Sequence, residues 1–234
     1  MQIGGFLPFT MIDYPTKLSA VVFTQGCPLR CPYCHNPELQ TPSVQTQIDW
    51  DGVLSILKQR KKLLDGVVFS GGEPLMQSDI KEAVQTVKDM GFLVGLHTSG
   101  VFLDVLERVL PLTDWVGLDI KAPFDKYAKA SGTAESFGMG DRARRALEMI
   151  SASGMDFEVR TTTDPRVVTK ADILSMADTL SGMGVRHFVL QEYRPVEKED
   201  VPEPTREEIT TFYTDEDFLK RLENLFDDFR VRRP

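Results

Sequence analysis

Residues 19–34 read SAVVFTQGCPLRCPYC, and residues 66–74 read GVVFSGGEP. Each stretch opens as a run of apolar, mostly β-branched residues without polar alternation, the pattern of a strand buried on both faces. Each then breaks into a loop, the first at Gln25-Gly26 and three cysteines, the second at Gly71-Gly72. Between them, residues 49–64 carry Val53, Ile56, Leu57 and Leu64 at helical spacing. Strand, helix and strand in that order make one unit of a parallel sheet. The alternation continues outward with predicted helices at 79–90, 103–110, 141–153 and 170–183. It continues also with predicted strands at 92–96, 115–120, 157–162 and 187–190. Gly91, Pro111, Gly154 and Gly184 stop the helices. About six β/α units at short, even spacing predict an α/β fold, a partial (β/α)6 barrel with a parallel sheet and outer helices.

The chain of 234 residues suits a single domain, 1–234. Residues 1–18, with Gly4-Gly5, Pro8 and Pro15, read as an irregular N-terminal arm. Residues 195–234 read as a polar linker, PVEKEDVPEP at 195–204, followed by one or two closing helices. Lys plus Arg is 27 and Asp plus Glu is 35, a net charge of −8. That balance argues against coating nucleic acid or anionic lipid, which need a positive face. No stretch reaches the ~20 apolar residues of a membrane span, and the N-terminus lacks a basic leader, so the expected location is the cytoplasm.

All three cysteines, Cys27, Cys31 and Cys34, lie in one C-x3-C-x2-C loop just past a strand. An odd, tight cluster is a poor disulfide framework, whereas thiolates bind soft metals and iron–sulfur clusters. Three ligands can hold three corners of a cubane, leaving the fourth iron open to a small molecule because the chain has no other cysteine. Zinc is the alternative. It wants four ligands, and His35, adjacent to Cys34, is badly placed to be the fourth. The second signal is Ser70-Gly71-Gly72-Glu73-Pro74, where two glycines let backbone approach a ligand. Alone, it is equally an ordinary strand-to-helix turn.

The cysteine loop, with Tyr33 just before its last cysteine, resembles the signature of radical S-adenosylmethionine (SAM) enzymes. The resemblance implies that Cys27, Cys31 and Cys34 hold a [4Fe–4S] cluster whose open iron binds SAM. Reductive cleavage of SAM then gives methionine and a 5′-deoxyadenosyl radical. It implies that Tyr33 packs near the adenine, and that Gly71, Gly72, Glu73 and Pro74 form the segment holding the methionyl amino group. Further along, His97-Thr98-Ser99-Gly100 stands where activating enzymes of the family typically read Asp-Thr-Asn-Gly. Asp119-Ile120-Lys121 is similar to the family's Asp-x-Lys. Those two segments help bind a monovalent cation in one activase. His97 in place of an aspartate departs from that pattern, so a monovalent cation is only a possible cofactor here. Arg160 resembles an arginine that contacts SAM, with a structural ion pair as an equal reading, and Gln191 is placed loosely on the adenine side.

Ile12-Asp13-Tyr14-Pro15, His35-Asn36-Pro37-Glu38 and Leu190-Gln191-x-Tyr193-Arg194-Pro195 resemble the activating proteins of anaerobic ribonucleoside-triphosphate reductases. This points to an enzyme that raises a glycyl radical on a partner, an anaerobic ribonucleotide reductase. A flavodoxin or ferredoxin-type protein would be its reductant. The alternative within the family is a small-molecule enzyme like 7-carboxy-7-deazaguanine synthase. From other classes, an iron–sulfur electron carrier and a zinc-stabilised binding module stay open. Away from these motifs, Arg142, Arg144 and Arg145 cluster at a predicted helix start, where the dipole disfavours cations. They suit a solvated face or a partner contact.

Overall fold

The computed structural model describes residues 1–42, 48–195 and 202–233. Eight strands form one sheet in sequential order: β1 (Ile3–Thr10), β2 (Ser19–Thr24), β3 (Gly66–Gly71), β4 (Leu93–Thr98), β5 (Trp115–Asp119), β6 (Asp156–Thr163), β7 (His187–Glu192) and β8 (Asp228–Arg232). β1 pairs with β2 antiparallel, and every later neighbour is parallel. The helices are α1 (Trp50–Arg60), α2 (Ile80–Asp89), α3 (Leu103–Val109), α4 (Tyr127–Ser131), α5 (Met139–Ser153), α6 (Lys170–Gly182), α7 (Arg206–Thr214) and α8 (Glu216–Glu223). The order never reverses. A doubly wound sheet would switch direction at a crevice, so this is the singly wound topology of a barrel in which β1 and β8 do not pair.

Both faces of the central strands are buried, as their apolar runs require. Ala20 and Val22 of β2 join the large core between sheet and helices, with Phe69, Leu96, Leu118 and Phe188. Val21, between them, points the other way and packs with Tyr14, Val68 and Trp115. Tyr14 stacks on Trp115, with ring centroids 5.4 Å apart. On the inner face of β2 to β5 this apolar cluster lies toward the strand starts, and the polar residues of the site lie at the strand ends.

Three elements differ from the sequence reading. The N-terminal arm is not irregular: Ile3–Thr10 is the antiparallel edge strand β1. An edge strand tolerates Gly4-Gly5 and Pro8 because one side of its ladder is free. The closing segment is two helices and then a parallel strand. Phe229 and Val231 alternate with Asp228, Arg230 and Arg232 in β8, which extends the parallel ladder beyond six strands. A short helix, α4, also interrupts the loop after β5. Of the polar linker, residues 196–201 lie outside the described residues.

Candidate functional site

At the C-terminal ends of the strands the interior opens into a cavity of about 210 Å3. The cysteine loop forms one wall. It leaves β2 through Gly26, whose N–H donates to the Leu39 carbonyl at 2.7 Å, and the Cys27 N–H donates to the Gln40 carbonyl at 3.2 Å. The loop is buttressed by α4: the Arg30 N–H donates to the Ser131 carbonyl at 2.8 Å. Cys27, Cys31 and Cys34 all line the cavity. Burial pushes the Cys27 thiol up to about 12, helped by the nearby Glu73 charge, and raises that of Cys31. A coordinated cation would favour the thiolates of Cys27 and Cys31 against that burial. Among the described residues no three His, Cys, Asp or Glu side chains converge on a single ion. Three cysteines on a cubane each bind a different iron and need no common point. The donor set thus fits a cluster better than one zinc. Tyr33 is also in the lining, and its hydroxyl is buried without a hydrogen-bond partner among the described residues.

The second wall is Ser70 to Glu73. Gly71 has φ +112°, and a Cβ there would meet the Thr24 backbone N at 2.3 Å. A Cβ on Gly72 would sit 2.2 Å from the Gly26 carbonyl oxygen. The Gly72 N–H donates to the Thr24 carbonyl at 2.9 Å, and the Glu73 N–H to that of Gly26 at 2.8 Å. The paired glycines therefore let this segment press against the approach to Cys27. Glu73 is almost wholly buried. Its carboxylate accepts from Thr98 Oγ1 at 2.6 Å, the Ser99 N–H at 2.8 Å, the Leu75 N–H at 3.2 Å and the Ser99 hydroxyl. Burial raises its pKa, and these four donors work in the opposite direction.

The third wall follows from strand register. Asp119 and Arg160 are Cα partners across β5 and β6, so their side chains meet. Arg160 Nε donates to Asp119 Oδ1 at 2.9 Å, and Lys121 Nζ lies 3.5 Å from Asp119 Oδ2. Arg160 also reaches the Gly117 carbonyl at 3.3 Å, and a Cβ on Gly117 would stand 2.9 Å from the guanidinium carbon. Burial pushes the Asp119 carboxyl up, but the Arg160 guanidinium and the Lys121 ammonium outweigh it and hold it below the ordinary value. His97, paired in register with Gly117, donates from Nε2 to the Asp13 carbonyl at 2.8 Å. That acceptor fixes its tautomer. Burial, then the Arg160 charge, puts its pKa well below the usual value, so the ring is neutral.

Of the residues singled out from the sequence, Cys27, Cys31, Tyr33, Cys34, Gly71, Gly72, Glu73, His97, Thr98, Asp119, Lys121, Arg160 and Gln191 all line this one cavity. Pro74 does not. It is buried at the start of the turn Pro74–Met76 behind Glu73. The ion-pair reading of Arg160 holds for Asp119, while Glu158 pairs with Arg232 at 3.3 Å. Ser99, from the quoted segment at 97–100, also lines the cavity, as do Thr162 and Gln40, which carried no sequence signal. Thr162 Oγ1 lies 3.4 Å from Gln191 Oε1, a contact created by pairing β6 with β7.

Residues 21–180 match the radical SAM superfamily. The chain is 30% identical over 203 residues to a provisionally named glycyl-radical enzyme activating enzyme of Methanocaldococcus jannaschii, covering 85% of this chain and 82% of that protein. It is 36% identical over 116 residues to the pyruvate formate-lyase-activating enzyme of Clostridium pasteurianum, covering 47% of this chain. The chain thus matches about half, 48%, of that relative's length. Among solved structures, a radical SAM methyltransferase from Sphaerobacter thermophilus superposes with a TM-score of 0.71 at 17% identity, over 96% of this chain and 68% of that one, which speaks to the fold. The family implies a [4Fe–4S] cluster and SAM, and sets aside the electron-carrier and zinc-module readings. With its cysteine loop, its singly wound sheet and the match over residues 21–180, the chain belongs to the radical SAM superfamily.

Proposed function

We propose that this protein is a glycyl-radical-enzyme activase whose partner is an anaerobic ribonucleotide reductase and whose reductant is a flavodoxin or ferredoxin-type protein. The observation that carries the reading is the likeness to a named activating enzyme over 82% of that protein's length. When bound, the cluster and SAM supply a 5′-deoxyadenosyl radical able to abstract hydrogen from a glycine of the partner. The remaining work falls to the chain. Cys27, Cys31 and Cys34 hold the cluster. Gly71, Gly72 and Glu73 keep the facing wall against the cysteine loop, with Glu73 anchoring Thr98 and Ser99. Asp119, Lys121 and Arg160 present a fixed charge set to the zwitterionic end of SAM. Gln191 is available to its polar groups. Arg160 and Lys121 already supply positive charge beside Asp119, so the reading needs no added monovalent cation.

The test is anaerobic reconstitution followed by mixing with reductant, SAM and the candidate reductase. The expected results are about four irons and four sulfides per chain, 5′-deoxyadenosine, and a glycyl-radical EPR signal on the partner. Cleavage of SAM without radical transfer to protein, but stimulated by a pterin, would move the enzyme to the 7-carboxy-7-deazaguanine synthase-like class.

A further inference from the structure

The arginines at the start of α5 have no part in the cavity. Arg144 is accounted for locally, 2.9 Å from Glu148 and 3.8 Å from Asp141. Arg142 and Arg145 are exposed, and neither pairs with a carboxylate among the described residues. Together with Phe102, Leu103, Asp104 and Val105 they line a groove of about 350 Å3 between the starts of α3 and α5. Asp104 is the carboxylate in that lining, so the groove is net positive on a chain whose net charge is −8. Arg142 lies at the end of the helix's first turn, where the dipole opposes a cation. Its Nη1 donates to the Val101 carbonyl at 3.2 Å, leaving its other N–H groups to the groove.

The groove shares an apolar cluster with the cysteine loop. Val101 is buried in that cluster with Leu29, Cys31 and Tyr33, and Phe102, Cys27 and Cys34 each pack against it. Phe102 is thus in both the groove and the packing around the cysteine loop. A protein seated in the groove would touch Phe102, which packs against the same apolar cluster as Cys27 and Cys34. We infer that the groove is the docking site of an acidic one-electron carrier protein that reduces the cluster. The inference rests on the cluster assigned under the proposed function. One electron leaves the carrier, which is oxidised by one unit. The cysteine-bound cluster is reduced by one, and no bond or proton is exchanged. Opposed charges across such an interface raise the encounter rate and fade with salt.

The experiment titrates the reconstituted full-length enzyme with an acidic flavodoxin by calorimetry at low and high salt. It then measures 5′-deoxyadenosine formation driven by reduced flavodoxin or by dithionite. Charge reversal at both arginines, R142E with R145E, is expected to weaken flavodoxin binding about tenfold and flatten its salt dependence. Flavodoxin-driven cleavage at sub-saturating carrier falls in parallel, and dithionite-driven cleavage stays unchanged. Arg145→Gln alters an exposed side chain with no hydrogen bond among the described residues and guards against a folding artefact. It is expected to give a smaller loss in the same direction. Unchanged flavodoxin affinity in both variants would overturn the inference. So would a loss of affinity for the glycyl-radical partner in place of the carrier, which would make the groove part of the substrate interface. Wild-type enzyme that yields no 5′-deoxyadenosine even with dithionite would defeat the proposed function, and the binding titration would still judge the groove.

Discussion

His97 shows how one residue couples the site to the barrel floor. Its ring lies edge-on to Trp115, 5.5 Å between centroids, and its Nε2–H is held by the Asp13 carbonyl, while Tyr14, the next residue, stacks on the same tryptophan. Neutrality in the folded state has a sign that can be tested. The folded pKa is lowered, so below the unfolded value of about 6.5 the unfolded chain takes up a proton that the native chain refuses. Stability therefore falls as pH drops below about 6.5, by up to about 1.4 kcal/mol per pH unit. His97→Gln should lack that component, and urea unfolding of both proteins at pH 7, 6 and 5 compares the slopes. Parallel slopes would mean that His97 protonates freely in the fold. Glu73 makes a second residue-scale case. A glutamine there keeps one acceptor oxygen and turns an NH2 group toward donors from Ser99 or Thr98. Glu73→Gln is expected to cost about 1–3 kcal/mol in chemical denaturation. A neutral outcome would show that the carboxyl is already protonated, with burial prevailing over its donors.

At the scale of elements, what was legible was what local pattern dictates. The central strands are apolar runs because both their faces are buried, and Gly91, Gly154 and Gly184, each at positive φ, stop helices as the sequence suggested. α6 starts at a reciprocal cap. Thr169 Oγ1 accepts the Asp172 N–H at 3.1 Å, and Asp172 Oδ2 accepts the Thr169 N–H at 3.0 Å. Thr169→Ala is expected to lower stability by about 1 kcal/mol, read as a shift in denaturation midpoint at unchanged slope. A changed slope would indicate a change in the unfolded state instead. β1 and β8 escaped because an edge strand is licensed by its neighbour: Gly4-Gly5-Pro8 looks like a turn, and alternating charges in β8 look like helix surface. The site divides the same way. The cysteine loop and Gly71-Gly72 are local motifs and could be read. Three of the four donors to Glu73, on Thr98 and Ser99, lie 25 and 26 residues away, and the Asp119–Arg160 pair spans 41, so only the parallel register brings them together.

For the whole molecule, the C-terminal segment read as closing helices packs into the large core between sheet and helices. Phe212, Phe218, Leu222 and Phe226 are buried in the same cluster as Phe69 and Leu180, and Phe226 sits 4.8 Å from the Phe188 ring of β7. Arg232 of β8 pairs with the buried Glu158 inside the barrel. Burial of each large side chain contributes about 1.5–3 kcal/mol, and four of them approach the roughly 5–15 kcal/mol by which domains are stable at all. Removal of the tail would also leave β7 as a bare edge and Glu158 without its partner. A chain ending at Pro195 is therefore expected to lose its cooperative unfolding transition, even though every cysteine and every lining residue of the cavity is retained. Circular dichroism against denaturant for the two lengths provides the measurement. A truncated chain that unfolds cooperatively near the full-length midpoint would show that the first seven strands carry the stability alone and that the tail serves some other end.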